Sequence, residues 1–382
     1  MLGKNFAPLA EKLNNVEWGE FLLKDLFESF NGDTDIQKKH INNKGEFVIT
    51  AGLSDNGVLG RSDIKAKIFQ KNTITIDMFG FCFYRNFSYK LVTHARVFSL
   101  KFKFNCSERA GLFISNSLRY LKNLFGYENM CSWEKIKDFK IFLPTKDGEI
   151  DFEFMEKFIT ELESERILEL ESYLTAAGLK DFILTDEEKF ALENLNSCIW
   201  QKFLLKDLFE KLNLKFKRKN FDKRYDVSQE PTEEFSLPLV NAKDGNNGIM
   251  FYGREKDWEF AEMTIDIVSN GAVATGNVYL QPQKTGVMWD AYLIKPKFTP
   301  SVELLNFFAT IIYKTIKPKY AYEFKATWNR VSEEKIYLPT KDGEIDYEFM
   351  EKFITAVQKI IIADVVKYSE EKISAYRQAA NK

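Results

Sequence analysis

The passage LPTKDGEIDFEFMEKFIT at Leu143–Thr160 returns 195 residues later as LPTKDGEIDYEFMEKFIT at Leu338–Thr355, with a single Phe152/Tyr347 exchange. A second passage, WGEFLLKDLFE at Trp18–Glu28, returns as WQKFLLKDLFE at Trp200–Glu210, offset by 182. Weaker echoes lie between them. Asp55-Asn56-Gly57 matches Asn246-Asn247-Gly248 at offset 191, Thr75-Ile76-Asp77 matches Thr264-Ile265-Asp266 at offset 189, and Trp133 matches Trp328 at offset 195. The order holds while the spacing drifts. Two copies of one fold behave this way when loops change length and scaffold does not. A solenoid is excluded, because each copy far exceeds a repeat of roughly 20–50 residues.

Each copy opens on a short amphipathic segment, continues through β-type runs punctuated by Gly, Asn and Asp, and closes on a strand that reaches a proline. Pro144 and Pro339 read as boundaries. The Lys-Asp-Gly after each is a turn, and Asp151 and Asp346 read as helix caps. A long helix follows. Met155, Ile159, Leu162, Arg166, Leu170 and Tyr173 draw a stripe along the first; Met350, Ile354, Val357, Ile361, Val365 and Tyr368 repeat it along the second. Helices of about 28–35 residues would run roughly 40–50 Å. Each packs either along its own domain or against the other copy, and the length favours the other copy. The expectation is an α+β protein with a pseudo-two-fold internal repeat. Its two similar globular domains, 1–144 and 197–339, are separated by two long antiparallel helices, 145–178 and 340–382, forming a coiled-coil spacer. Residues 179–196 form the connector, in which Thr185 and Glu188 fit a capping box.

The net charge of −2 conceals an alternation. Residues 1–140 carry +6, 141–196 carry −10, 197–337 carry +3 and 338–382 carry −1. The four cysteines, Cys82, Cys106, Cys131 and Cys198, are scattered and read as reduced thiols of a cytoplasmic protein. No apolar run is long enough to span a membrane, and MLGKNFAPLAEKLNN has no apolar core of a secretory signal. With only His40 and His94 present, no metal site is expected.

Catalytic patterns are missing: no GxxxxGK[ST], no strand-to-helix GxGxxG, no GxSxG, and no Pro-Pro of the loop by which amino-methyltransferases grip a base. The carboxylate pairs fall mostly in the long helices, where a solvated face explains them. The chain therefore reads as a binding protein without catalytic residues or cofactor of its own. Cations mark where binding would occur. Lys215, Lys217, Arg218, Lys219, Lys223 and Arg224 crowd one stretch of the second copy, interleaved with Phe216, Phe221 and Tyr225. The first copy holds Lys38, Lys39, His40, Asn42, Asn43 and Lys44 in the equivalent place. Further candidates are Arg61, Lys65, Lys67, Arg85 and Lys90, and in the second copy Lys243, Asn246, Asn247, Arg254 and Lys256. Lys and Arg neutralise phosphates; Asn and Arg on nearby loops read base edges.

This arrangement resembles the specificity subunits of Type I restriction–modification enzymes and the related Type IIB subunits. The resemblance rests on the two WxxFLLKDLFE openings, the IFLPTKDGEIDFEFMEKFI and IYLPTKDGEIDYEFMEKFI closings with their helices, and the YLTAAGLKDFILTDEEKFAL connector. It covers essentially the whole chain. It implies that each copy is a target recognition domain reading one half of a split, asymmetric sequence in double-stranded DNA. It implies further that the helices set the gap between half-sites and dock DNA methyltransferase subunits, usually two, which bind S-adenosylmethionine. A restriction endonuclease/translocase subunit joins some such complexes. The alternative is an orphan scaffold that holds methyltransferase subunits without productive DNA recognition; a chain that itself cuts or methylates DNA is a third reading.

Overall fold

The computed structural model describes residues 7–380. Its longer helices are α1 (Ala7–Asn15), α2 (Glu108–Ser117), α3 (Phe152–Ala176), α4 (Asp186–Asn194), α5 (Val302–Ile316) and α6 (Tyr347–Ala380). The chain divides into two compact units, one running to Tyr173 and including the chain from Glu371, the other spanning Leu174–Glu370.

The first unit holds three sheets. Glu17–Leu22 pairs antiparallel with Lys140–Lys146, which returns through Glu149–Ile150. A four-stranded antiparallel sheet runs Phe27–Asn31, Phe98–Phe102, Thr73–Ile76, Cys82–Arg85. A third sheet places Glu46–Ile49 between Val58–Ser62 and Tyr89–Leu91, the latter pairing parallel. The second unit repeats all three and adds a two-residue strand, Val227–Ser228, to the third.

The closing strands run through the prolines instead of stopping at them. Pro144 lies opposite Trp18 and Pro339 opposite Trp200. Proline lacks a donor but keeps its carbonyl, which accepts from Asp151 N at 2.9 Å and from Asp346 N at 3.0 Å in the second copy. The turn beyond needs positive φ at Asp147 (53°) and Gly148 (80°), which Asp and Gly supply. The Asp151 carboxylate then accepts from Phe154 N at 2.8 Å, and Asp346 does the same for Phe349 N at 2.9 Å. Both aspartates therefore cap the helices.

The cores correspond side chain for side chain. Leu23, Phe27, Ile74, Leu100, Ile141, Leu143 and Met155 are buried in one cluster; Leu205, Phe209, Ile265, Ile294, Ile336, Leu338 and Met350 are buried in the other. Trp18 stacks on Phe113 with 6.4 Å between centroids, and Trp200 on Phe307 at the same distance. Phe158 and Phe353 meet those two rings edge-on, at 5.6 and 6.2 Å. So the first turns of α3 and α6, including Met155, Ile159, Met350 and Ile354, are used by their own domains. Beyond this proximal half, each unit has a second, distal core. It comprises Ile36, Val48, Ile49, Phe69, Tyr89 and Leu91 in the first. In the second it forms around Trp258, Phe251, Leu237, Leu239 and Met288.

The segment read as a connector contains α4, the counterpart of α1. Trp18 donates its indole N–H to Leu13 O at 3.2 Å, and Trp200 to Leu195 O at 3.4 Å. The matching spelling is EKLNNVEW against ENLNSCIW. Helix α1 meets α3 through Lys12 and Glu161. Helix α4 is capped by the Thr185–Glu188 box. Along α6, Lys359 reaches Asp181 at 2.9 Å and Glu188 at 3.2 Å.

One echo is out of register. Counting from Phe27 opposite Phe102, and from Phe209 opposite Pro296, Ile74 corresponds to Ile265 and Thr75 to Asp266. The spelling Thr-Ile-Asp is shared, but the second copy's lies two residues earlier along its strand, in the places of Thr73, Ile74 and Thr75.

Candidate nucleic-acid interface

The distal half of the first unit gathers most of its predicted cations on connected turns. Lys38 and Lys39 occupy a single 3-10 turn that ends at His40, whose carbonyl accepts from Ser62 Oγ at 2.6 Å. Asn42 N and Asn43 N both donate to Arg61 O, at 3.0 and 3.2 Å, and Asn42 Oδ1 accepts from Lys44 N at 3.0 Å. The Arg61 guanidinium lies 4.0 Å from the Phe47 ring centroid, a cation–π arrangement that holds its stem while leaving the residue exposed. Lys67 lies over Phe30 and Phe69, at 5.1 and 5.0 Å. Lys65 is exposed on the loop beside it.

Two predicted residues leave this surface. Lys90 is buried and donates to Ser62 O at 2.9 Å and Ile64 O at 2.7 Å. It is a strut for the loop carrying Lys65 and Lys67. Arg85 is buried too, donating to Thr75 Oγ1 at 2.9 Å and Asn56 O at 2.7 Å. Burial lowers its pKa to about 10, so it stays charged at neutral pH. Its second-copy counterpart is Gln281, which donates to Asn247 O at 2.7 Å. Each ties down the tight turn of its copy. Asn246 and Asn247 also spend their side-chain amides inside the protein, on Ile249 O and Leu280 O, at 3.0 and 2.7 Å.

In the second unit the basic stretch is fastened by its backbone. Lys217 N donates to Asp257 O at 2.8 Å, Glu259 N to Lys215 O at 2.9 Å, and Phe216 packs on Trp258 at 4.9 Å. Arg218 and Arg254 turn inward, to a shared pair of buried carboxylates. Arg218 pairs with Asp226 and lies 3.3 Å from Asp257; Arg254 lies 3.6 Å from Asp226, 3.5 Å from Asp257 and 2.6 Å from Glu234. Arg224 pairs with Asp222 at 2.8 Å, and that hydrogen-bonded pairing lowers the Asp222 carboxyl pKa to about 2. Lys223 sits 4.5 Å from the Phe251 ring centroid. The candidates that are exposed with neither an ion-pair nor an aromatic partner among the described residues are Lys215, Lys217, Lys219, Lys243 and Lys256, against Lys38, Lys39, Lys44 and Lys65 in the first unit.

One exposed aromatic escaped the reading of the sequence. Trp289 is 65% exposed and makes edge contact with Phe221 at 4.8 Å. Its counterpart in the first copy is Thr93, so the failure to repeat was the available signal.

The helix stripes divide. Leu162, Leu170 and Val357 are half-buried. Tyr173 (61%), Ile361 (71%), Tyr368 (51%) and Val365 (39%) are exposed, whereas Ile167, Leu174, Ala356 and Val366 are buried. Beyond the first two turns, the buried positions therefore do not coincide with the predicted stripe. No described helix is long and apolar enough to cross a membrane.

The chain matches the family described as Type I restriction modification DNA specificity domain twice, over residues 15–172 and 199–366. It is 24% identical over 356 residues to the specificity subunit S.BcgI of a Type II restriction enzyme from Heyndrickxia coagulans, covering 91% of this chain and 97% of that one. Its fold resembles that of the Type I restriction–modification S subunit from M. genitalium, with a TM-score of 0.57, 16% identity, and coverage of 96% of this chain and 95% of the other. The two family matches enclose the two proximal scaffolds and the distal halves between their strands, and on that basis the chain belongs to the restriction–modification DNA specificity family, with two target recognition domains in tandem.

Proposed function

We propose that this chain reads a bipartite, asymmetric sequence in double-stranded DNA, one half-site per domain, and holds DNA methyltransferase subunits in register with it. The observation that carries the reading is the division within each copy. Proximal halves match in core, register and caps, while the distal halves that bear the unpaired lysines differ in cation number, strand count and aromatic content. A shared scaffold suits a partner that is the same at both ends; divergent distal halves suit half-sites that differ. Lys38, Lys39, Lys44 and Lys65, and Lys215, Lys217, Lys219, Lys243 and Lys256, take phosphates, and Asn43 and Arg61 stand beside them for base edges, whereas the Asn42 amide is already held by Asp63 at 2.7 Å and Lys44 N at 3.0 Å. Catalysis and S-adenosylmethionine belong to the partner, of which two copies are expected. A restriction subunit would join the same assembly. Methylome sequencing of a host expressing the chain with its methyltransferase tests this. A two-part motif with a fixed gap is expected; methylation without such a motif, or unchanged by loss of this chain, overturns it.

A further inference from the structure

Beside the basic stretch of the second unit lies a cleft of about 470 Å³. Lys211, Lys215 and Lys219 line it together with Phe221, Trp258 and Trp289, and no carboxylate does. Trp258 and Phe221 are parts of the distal core, whereas Trp289 stands largely in solvent. An isolated exposed tryptophan needs no explanation, but this one is held on a fixed backbone. Met288 N donates to Val240 O at 2.9 Å on one side. On the other, Asp290 N donates to Asn241 Oδ1 at 2.9 Å, and the Asp290 carbonyl and carboxylate accept from Ser269 N and from the Asn270 side chain, both at 2.9 Å. The backbone that carries the indole is thus fixed beside the lysines that line the same cleft, and Phe221 meets the ring edge-on at 4.8 Å, so little ordering remains to be done on binding.

We propose that Trp289 is a specificity-determining contact of the second recognition domain, packing against base or deoxyribose surface of the half-site duplex while the lysines around it hold the phosphates. The inference rests on the DNA-reading role proposed above. Lysines alone give affinity that any sequence shares. A rigid apolar surface between them is sensitive to thymine methyls and to local groove shape, and so discriminates. The first copy, with Thr93 at this place, reads its half-site without such a contact.

The test compares the full chain with W289A and W289F. The probes are the duplex found by methylome sequencing and a duplex of equal length with the second half-site scrambled. W289A is expected to lose roughly 10- to 100-fold on the cognate duplex, the size of one base-level contact. On the scrambled duplex it should change less than about threefold, with an unaltered slope of log affinity against log salt, because no phosphate-binding charge is removed. W289F should stay within about threefold of the wild type on both, and melting should be unchanged in both variants. Cognate binding by W289A at wild-type strength, or equal loss on the two duplexes, overturns the assignment. Wild-type protein that fails to distinguish the duplexes overturns the DNA-reading role itself.

Discussion

The proximal halves of the two units use the same residues for the same jobs, whereas the distal halves reach the same backbone with different chemistry. Leu23, Phe27, Leu143 and Met155 have buried counterparts of identical type in Leu205, Phe209, Leu338 and Met350. On the same strands, but on the face of the sheet turned away from that core, Thr75 and Arg85 form a hydrogen-bonded pair, whereas their counterparts Asp266 and Gln281 do not pair. Gln281 still reaches the turn, while Asp266 is fully buried and neither of its oxygens has a hydrogen-bond partner among the described residues. Between the two copies, buried apolar packing is thus held more strictly than polar chemistry.

The strongest challenge to that contrast is Met155→Ala set against Met350→Ala. Each should cost about 2–5 kcal/mol of stability by cavity formation, and by the same amount in the two copies. Unequal losses in denaturant melts would show that the scaffolds only look alike. The distal surface should respond in binding instead. Replacing Lys215, Lys217 and Lys219 with Ala should weaken duplex binding roughly 10²-fold near 0.1 M salt and lower the salt slope by about three, with melting unaltered. An unchanged slope would remove these lysines from the phosphate contacts.

Asp266→Thr, which restores the first copy's residue, should raise stability by about 1–3 kcal/mol, because an unpartnered buried acid is removed. Burial raises the Asp266 pKa well above the usual carboxylate range, so the folded second unit holds a proton that the unfolded chain releases. The contribution of Asp266 to stability is therefore fully present below the ordinary carboxylate pKa and is lost as pH climbs toward the raised folded value. The variant should lack that decline, and stability measured against pH decides it. The smallest effect is expected from Arg218→Ala, less than about threefold in DNA affinity, since its charge is already spent on Asp226 and Asp257. A loss as large as that of Lys219→Ala would mean that the pairing breaks on DNA.

Much of this was legible in the sequence. The duplicated closing passage already contained the strand, turn, cap and first helical turns, because those signals are local. The α1–α4 equivalence was visible in the shared leucine, asparagine and tryptophan, but too thinly spelled to be noticed. Burial of Arg85 and Lys90 was not legible, because the carbonyls that satisfy them come from strands and turns remote in sequence. The three-letter Thr-Ile-Asp echo misled for a related reason. Strand register is set by cross-strand partners, and a two-residue slip keeps the same face while changing every neighbour. The helical stripe was real in its period, yet period alone does not say which surface covers it.

The tight turn after Glu46–Ile49 and its counterpart after Leu237–Val240 have a consequence for how such a protein can change. Asp55, Asn56 and Gly57 stand at φ 48°, 53° and 76°, and Asn246, Asn247 and Gly248 at 46°, 50° and 76°. Left-handed backbone at three successive positions admits Gly, Asn and Asp with ease and penalises β-branched residues. A Cβ on Gly57 would meet Thr50 O at 2.8 Å, so even the glycine is fixed. Evolution is left with a very small alphabet at this point. It can exchange a carboxylate for an amide, as between Asp55 and Asn246, at unchanged coordinates. The turn is then a socket in which one formal charge is gained or lost without moving the frame that presents it.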